Sequence, residues 1–518
     1  LRSMHAAART GAVAGIEGQP GIGKTRLAED LLASARAMGA PTFAARCYEG
    51  EAGLAYAPVA ALLREATAAL ERSGQLLSLP HDQLAEVARL VPALARRINM
   101  PEASLLAEPD ARRRFFEAVA DLLIQACDGR APGVLLLDDV HWADTASLDL
   151  IAFLARRARG RPGLLLLTWR GEDVPTDHSL RALLGEARRH GAADQITLGG
   201  LSAAAVGALA RAHNANIPPD VVERLHRESE GLPLLVVEYL AALDEGVYSD
   251  DNHPWPLPTN TRDLMMARLR PLPEPAHRLL LAAAAIGRSF DVATLCAAAD
   301  MPEDAAVDAL EQLVARGLVA ETDPATVRYD FSHGKLRGLI LDSTSKARQR
   351  LVHRRVADYL AGVPGTIVRP GVAARIAYHY EQAGSAALAA EHHRRAGDQA
   401  RALYANGEAL AHYAAALAAG HPEATALHEA MGDLHALAGN YQAALKYYGT
   451  AQATGGQTTT IDRKLGELYH RLGDWDAAEA QFAAALADSS EPAERALALA
   501  AWSLTARRRG DLAQAATL

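Results

Sequence analysis

The stretch Gly18-Gln19-Pro20-Gly21-Ile22-Gly23-Lys24-Thr25 decides the fold, because it fits the GxxxxGK[ST] pattern of a phosphate-binding loop. An apolar run, Ala12 to Glu17, precedes it and an amphipathic stretch follows it, which is the strand–loop–helix setting that such a loop needs. Glycines let backbone N–H groups surround a β-phosphate, while Lys24 neutralises β and γ oxygens and the Thr25 hydroxyl binds Mg²⁺. We therefore predict that Gly18 to Arg26 contacts the phosphates of a nucleotide.

A second chemical feature is an apolar run that ends in two acids, Val134 to Asp139 (VLLLDD). Such a strand is typical of the Walker B motif, in which the first acid, here Asp138, holds the Mg²⁺ through water. The second acid, Asp139, would orient or deprotonate the attacking water, but it is shorter than the glutamate that often stands there. We predict a Mg²⁺ site at Thr25 and Asp138 and slow ATP hydrolysis. The alternative is that the acids merely begin the following loop.

The next predicted strand, Leu164 to Thr168, is followed by Trp169 and Arg170. A cation at the tip of a strand beside the Walker B strand can reach a γ-phosphate, so Arg170 is predicted to distinguish ATP from ADP. The alternative is a solvated arginine at a strand end. The sequence contains no NKxD guanine signature, so we expect the nucleotide to be ATP or ADP.

The sequence around these motifs predicts an α/β domain. Residues 12 to 200 alternate short apolar runs with amphipathic stretches, which is typical of a mostly parallel sheet with helices on both faces. From Ser202 to Glu245 the periodicity is helical throughout. The predicted strands are Ala12 to Glu17, Thr42 to Cys47, Val134 to Asp138, Leu164 to Thr168 and Gln195 to Leu198.

A proline-rich segment, Asn252 to Pro258, indicates a linker, because proline disfavours helix interiors. Beyond it, residues 259 to 335 read as helices closed by a hairpin of Gly317 to Ala320 and Val327 to Phe331, which suggests a winged helix. Residues 258 to 337 hold 9 Arg and Lys against 11 Asp and Glu, so we expect this module to pack rather than to bind DNA.

The alanine-rich helical remainder contains a repeat. Six small or aromatic positions recur 34 residues later, and this period and these residue types are those of tetratricopeptide helix pairs. Alanine-rich helices can imitate such a pattern, but the common register of small and aromatic positions favours a repeat. The positions are Gly432, Gly439, Tyr441, Ala444, Tyr448 and Ala451, repeated as Gly466, Gly473, Trp475, Ala478, Phe482 and Ala485.

With 518 residues the chain is too long for one hydrophobic core, so we expect a multidomain protein with α/β and all-α parts. The first part is a P-loop ATPase core with a parallel sheet. The predicted division is the P-loop core over 1–200, a helical lid and linker over 201–257, a winged helix over 258–338, a helical connector over 339–390 and truncated tetratricopeptide-like repeats, an α-solenoid, over 391–518.

Composition argues against several other classes. A net charge of −9 leaves no basic surplus for binding a phosphate backbone. The three cysteines form no CxxC pair, which argues against a disulfide framework or a zinc site and fits a cytoplasmic location. No stretch reaches the roughly 18 to 20 apolar residues of a membrane span, so no membrane partner is expected. Because the chain begins without a signal peptide and ends in a helical pattern, we expect it to be a piece of a longer protein.

Several motifs together resemble those of the STAND class of signal-transduction ATPases. Within this class the chain is similar to the large bacterial LuxR-type (MalT-like) and SARP/AfsR-like transcription regulators, and the likeness covers nearly the whole chain. The DDxHWAD extension and the order of the modules are more specific than the Walker motifs alone. The motifs are GQPGIGKTRL from Gly18 to Leu27, LLLDDVHWAD from Leu135 to Asp144, the Arg170 strand, GLPL from Gly231 to Leu234 and FSH from Phe331 to His333.

The resemblance implies further nucleotide contacts. Pro233 would pack on the adenine or ribose and tie the lid to the nucleotide. His333 would contact the β-phosphate of ADP and hold a closed form, the alternative being an ordinary surface or core histidine. The adenine-contacting motif of the family would lie upstream of Leu1. No helix-turn-helix or SARP domain is identifiable in the sequence, so DNA is implied as a partner only through a domain outside this chain.

The favoured interpretation is a regulatory switch with adenine nucleotide and Mg²⁺ as cofactors. ADP would close the ATPase core, lid and winged helix into one block, and exchange for ATP would loosen it. The tetratricopeptide array would receive a protein or small-molecule inducer, and self-association would depend on the nucleotide. Two other interpretations stay open: a catalytic machine, either an ATP-driven motor or the regulatory half of a nucleotide cyclase, and a scaffold whose P-loop is only structural.

Overall fold

The structure is a computed structural model in which the chain divides into two compact units. Unit 1 is Leu1–Gly384 together with Ala402–Ala405, and unit 2 is Ser385–Arg401 together with Asn406–Leu518. The finer, five-part division stays a prediction. The structure describes residues 1–48, 50, 53–97, 110–176, 178–189, 193–244, 266, 269, 272–287, 289–323, 327–332, 334–364, 370–455, 458–489 and 491–518.

Unit 1 contains a sheet of five parallel strands. These are β1 (Ala12–Glu17), β2 (Thr42–Arg46), β3 (Val134–Asp138), β4 (Leu164–Trp169) and β5 (Ala193–Thr197). Their order across the sheet is β2-β3-β4-β1-β5. The central strands β3 and β4 are buried along their whole length, which explains their uninterrupted apolar runs. The predicted α/β fold is confirmed, and the strand ends differ from the predicted ones by one or two residues.

Helices cover both faces of this sheet. Successive strand residues point to opposite faces, so Leu136 packs with Leu31 of the helix that follows the phosphate-binding loop, whereas Leu135 lies beside Leu154 on the other face. The helices are α1 (Arg2–Ala7), α2 (Lys24–Ala37), α3 (Ala57–Arg72), α4 (His81–Ala88), α5 (Pro92–Arg97), α6 (Ala111–Ala126), α7 (Thr145–Arg157) and α8 (Ser179–Arg189), with 3₁₀ turns at Ala8–Thr10, Leu76–Ser78 and Val140–Trp142.

Three helices follow the sheet: α9 (Ala203–His213), α10 (Pro219–Ser229) and α11 (Pro233–Asp244). They share a small apolar core that includes Val206, Leu225 and Tyr239. The structure agrees with the helical periodicity predicted from Ser202 to Glu245, and prolines and a left-handed glycine divide this stretch into three helices. The predicted linker at 252–258 lies outside the described residues.

The next segment combines helices with a small antiparallel sheet. The predicted hairpin forms between β7 (Val319–Asp323) and β8 (Arg328–Phe331), and β6 (Ser289–Asp291), which we did not predict, pairs with the other side of β8. Assignment of this segment as a winged helix stays a prediction. The helices are α12 (Glu274–Ile286), α13 (Val292–Ala299), α14 (Glu303–Ala315), α15 (Gly334–Ser343), α16 (Lys346–Gly362) and α17 (Val372–Ala383).

The chain from Ala386 onward forms successive helix pairs, and the predicted tetratricopeptide-like solenoid is confirmed. The glycines of the repeat lie against aromatic rings of the second helix in each pair: a Cβ on Gly432 would stand 2.4 Å from the Tyr448 ring, and one on Gly466 would stand 2.6 Å from Phe482. The pairs are α18 (Ala386–Ala402) with α19 (Asn406–Ala418), α20 (Ala424–Leu437) with α21 (Tyr441–Ala453), α22 (Thr458–Leu472) with α23 (Trp475–Asp488), and α24 (Pro492–Arg509) with α25 (Leu512–Thr517).

Helix length and hydropathy bear on membrane insertion. Among the helices that the structure describes, none is long and apolar enough to cross a membrane.

Candidate nucleotide-binding site

The predicted phosphate-binding loop connects β1 to α2. Gly21 and Gly23 have φ angles of 81° and 98°, a left-handed conformation that glycine adopts without strain. A Cβ on Gly23 would meet no atom within 4 Å, and no described side chain caps the N-terminus of α2. The backbone N–H groups at this helix end are therefore available, and the helix dipole favours an anion beside them. A phosphate group fits this loop.

Lys24, the first residue of α2, is only 6% exposed. Its Nζ donates hydrogen bonds to the carbonyl oxygens of Gly18, at 2.7 Å, and Gln19, at 3.2 Å. Burial lowers the pKa of Lys24 below its usual value, and the Asp139 carboxylate opposes this shift while the Arg170 guanidinium adds to it. A phosphate oxygen would supply the counter-charge that a buried ammonium needs.

The two predicted metal ligands lie together. Thr25 Oγ1 donates to Asp138 Oδ2 at 2.9 Å, and Thr168 Oγ1 donates to Asp138 Oδ1 at 2.5 Å. Mg²⁺ prefers such oxygen ligands and completes its octahedron with water and substrate phosphates. Across the described ranges, no group of three or more His, Cys, Asp or Glu side chains could hold a metal. The residues therefore fit a Mg²⁺ that Thr25 and Asp138 would hold only together with a nucleotide.

Asp139 is buried and held in place from two sides. Its φ of 56° is left-handed, and its backbone N–H donates to Thr168 Oγ1 at 2.9 Å. Its carboxylate Oδ2 accepts a hydrogen bond from Arg46 Nη2 at 3.2 Å. The Thr168 hydroxyl thus contacts both acids of the Walker B strand, a role that the sequence did not reveal.

Arg46 is the second site residue that sequence reasoning missed. It ends β2, and the parallel register places it directly beside Asp138 at the end of β3. Its Nε lies 3.2 Å from Asp138 Oδ2 while its Nη2 reaches Asp139. Burial would lower the pKa of the Arg46 guanidinium, but the carboxylates of Asp138, Asp139 and Asp330 outweigh burial and raise it. The signal that could have found Arg46 is its place at a strand end, once the order of the strands is known.

Arg170 follows β4 at the same edge of the sheet. Its Nη1 lies 3.4 Å from Asp173 Oδ2, and its charge acts on Lys24. The side chain of His141 is fully buried, and its Nε2 lies 3.6 Å from the same Asp173 oxygen. Burial lowers the pKa of His141 to about 4, so this ring is neutral at neutral pH. Arg170 is therefore near the predicted phosphate site but paired with a surface acid.

The end of the DDVHWAD motif has a structural role. Asp144 caps the N-terminus of α7, because its Oδ1 accepts the Ser147 N–H at 2.7 Å. The same oxygen accepts the Tyr56 N–H at 3.1 Å. Tyr56 has a left-handed φ of 59°, and its buried ring packs edge-on against Phe115. The segment from Gly53 to Pro58 (GLAYAP) is thus fixed to the loop that follows the Walker B strand.

The GLP motif brings α11 onto the phosphate-binding loop. The Leu234 N–H donates to the Gly21 carbonyl at 3.2 Å, and a Cβ on Gly21 would stand 2.8 Å from Leu234. Gly231 has a φ of 72°, and a Cβ there would stand 2.2 Å from the Leu201 carbonyl oxygen. Both glycines are therefore needed for close backbone contact. Pro233 immediately precedes Leu234 and is the first residue of α11, and its predicted contact with the adenine or ribose stays a prediction.

Arg26 and His333 are also predicted to contact the nucleotide. The Arg26 side chain is 79% exposed and pairs with Asp30 at 3.3 Å, so a contact from Arg26 to phosphate would have to come from its backbone in the first turn of α2. His333 lies outside the described residues, and its predicted contact with ADP stays a prediction.

Comparison with known proteins agrees with this site. Residues 1–167 match the family model of the AAA ATPase domain. An uncharacterized protein of Rhizobium meliloti (strain 1021) is 24% identical over 379 residues, which cover 67% of this chain and 34% of that protein. The chain therefore spans about a third of the length of this relative.

A solved structure shares the order of modules. It is a signal transduction ATPase with numerous domains from Pyrococcus horikoshii that carries a tetratricopeptide repeat sensor. The superposition has a TM-score of 0.51 at 15% identity and covers 98% of this chain and 66% of that one. The AAA ATPase match and the shared fold together confirm the predicted ATPase core and tetratricopeptide-like region, and they agree with the resemblance to STAND-class ATPases.

Proposed function

We propose that the chain is an ATP/ADP-operated regulatory switch that binds its nucleotide with Mg²⁺ between the phosphate-binding loop and the Walker B strand. The observation that carries this proposal is the contact of α11 with the loop, in which the Leu234 N–H donates to the Gly21 carbonyl. A nucleotide that reorders the loop would move a helix outside the sheet as well. The binding event is thereby coupled to the packing of another segment, which is what a switch requires.

The residue roles in this proposal are those predicted from the sequence. The loop from Gly18 to Arg26 binds the phosphates, Thr25 and Asp138 hold the Mg²⁺, and Pro233 contacts the adenine or ribose. Arg170 responds to the γ-phosphate by leaving Asp173. His333 completes the ADP-bound form from the segment that follows β8.

The wider role is that of a module in a bacterial transcription regulator of the LuxR or SARP type. The order of ATPase core, helical segments and tetratricopeptide region supports this assignment. In this role the tetratricopeptide region receives a protein or small-molecule inducer. DNA is contacted only by a domain outside this chain.

Hydrolysis is expected to be slow. Asp139 is the candidate that would orient or deprotonate the attacking water, but its carboxylate is paired with Arg46. We expect steady-state turnover of ATP well below about 1 per second, the lower end of ordinary enzyme rates. Phosphate release from the purified chain, with Asp139→Asn as the background control, measures it. Unstimulated turnover above that rate would contradict the switch and favour an ATP-driven motor.

A further inference from the structure

The Walker B carboxylates already have a cation beside them. The guanidinium of Arg46 reaches Asp138 Oδ2 through Nε and Asp139 Oδ2 through Nη2, both at 3.2 Å. The two carboxylates are only 4% and 6% exposed, and Arg46 is 29% exposed. Two neighbouring buried carboxylates would repel one another strongly without such a counter-charge.

The metal site and the Arg46 site overlap. Asp138 Oδ2 accepts from Thr25 Oγ1, the other candidate metal ligand, and the same oxygen lies 3.2 Å from Arg46 Nε. A dication held near Thr25 and Asp138 would therefore stand next to a fixed positive charge. Like charges at such distances repel by several kcal/mol at the effective dielectric of a protein, roughly 20. Arg46 and Mg²⁺ cannot both neutralise this pair of acids without a rearrangement.

We propose that Arg46 is the resident counter-cation of Asp138 and Asp139, that it is displaced when Mg²⁺ enters with the nucleotide, and that it thereby sets the metal dependence of nucleotide binding. This inference rests on the proposed nucleotide site. It assigns to Arg46 a positioning role, since Arg46 acts on the metal through the two carboxylates.

A third acid, Asp330, also acts on Arg46. Asp330 of β8 is 8% exposed, and its charge acts on Arg46 together with those of Asp138 and Asp139. Asp330 lies in the small antiparallel sheet, opposite Ser289 of β6 and Ala320 of β7.

The test compares ADP affinity with and without the metal, using a fluorescent ADP analogue in Mg²⁺ and in EDTA. Arg46→Gln keeps most of the side-chain length but removes the charge. It should raise the ratio of affinity in Mg²⁺ to affinity in EDTA by at least about tenfold. In Mg²⁺ the metal no longer competes with Arg46 for the two carboxylates, and in EDTA the unneutralised carboxylates repel the phosphates of ADP. Arg36→Gln is the matched control, since Arg36 contacts the other end of β2 through Thr42.

Asp330→Asn should change the same ratio in the opposite direction, because Arg46 then loses the attraction of a carboxylate other than Asp138 and Asp139. In the Arg46→Gln background Asp330→Asn should have no further effect, as expected for residues that act through one another. An unchanged ratio in Arg46→Gln would overturn the proposal. Equal loss of affinity in Mg²⁺ and in EDTA would also overturn it, because Arg46 would then bind the phosphates directly.

A measurement without nucleotide separates this inference from the nucleotide site itself. In EDTA, Arg46→Gln should unfold at a lower temperature than the original chain, because the two neighbouring carboxylates then lack their counter-charge. Arg46→Lys, which keeps the charge but cannot bridge two carboxylates, should fall between them and serves if Arg46→Gln does not fold. Equal unfolding temperatures of both variants and the original chain in EDTA would overturn the inference even if ADP binds. Failure of the original chain to bind ADP would overturn the proposed nucleotide site instead.

Discussion

Replacing Lys24 with alanine should abolish the binding of ATP and ADP. The Lys24 Nζ is the buried cation of the loop, and in the structure its hydrogens go to the carbonyl oxygens of Gly18 and Gln19. When a nucleotide binds, those hydrogens would turn to the phosphates, and each hydrogen bond to a charged group contributes about 1.5–3 kcal/mol. Loss of two of them weakens binding by at least about a hundredfold. Isothermal titration calorimetry of both chains measures the difference.

The matched control for this change is Arg36→Ala. Arg36 is also a cation on α2, but it lies near the other end of the helix, where its Nε donates to Thr42 Oγ1. Its loss should leave the affinity for ADP unchanged. Equal affinity of the Lys24→Ala chain and the original chain would remove the phosphate-binding assignment altogether.

The second large effect concerns the stability of the tetratricopeptide region. Gly432→Ala places a Cβ 2.4 Å from the ring of Tyr448, which is buried and whose hydroxyl donates to Asp433 Oδ1 at 2.8 Å. The ring cannot retreat without losing that hydrogen bond and its packing. Overpacking of this kind costs about 1–3 kcal/mol or more, which outweighs the gain of up to about 1 kcal/mol in helix propensity.

The same substitution at a second glycine gives the control. Gly449 lies in α21, and a Cβ there would meet no atom within 4 Å. Gly449→Ala should therefore stabilise the helix by about 0.5–1 kcal/mol. Urea unfolding of both variants, monitored by circular dichroism, gives the sign of each change in the free energy of unfolding. Equal stability of the Gly432→Ala and Gly449→Ala chains would contradict the assigned packing of glycine on tyrosine.

The repeat could be predicted from the sequence because its glycine and aromatic positions contact one another in the fold. Gly432 and Tyr448 recur as Gly466 and Phe482, and each glycine packs against the aromatic residue of the next helix. The same is true of the phosphate-binding loop, where backbone conformation demands glycine at fixed positions. In both cases local geometry restricts the residue type, so the restriction appears in the sequence itself.

Other parts of the site depend on contacts between distant segments and left no such signal. Arg46 is an ordinary arginine until the register of β2 against β3 places it beside Asp138. Thr168 likewise acquires its role only because β4 lies next to β3. The three residues of β6 are too few to show a period, and they form a strand because β8 offers them a free edge. Sequence periodicity reports local structure and does not specify which strands become neighbours.

Hydrogen–deuterium exchange with ADP and with a non-hydrolysable ATP analogue, each with Mg²⁺, tests the central claim that bound nucleotide sets the packing of other segments. The account predicts that both nucleotides protect the loop between β1 and α2. It further predicts that ADP protects α11 (Pro233–Asp244) and β8 (Arg328–Phe331) more than the ATP analogue does, because these segments close around ADP. Protection confined to the loop and identical for the two nucleotides would contradict the account.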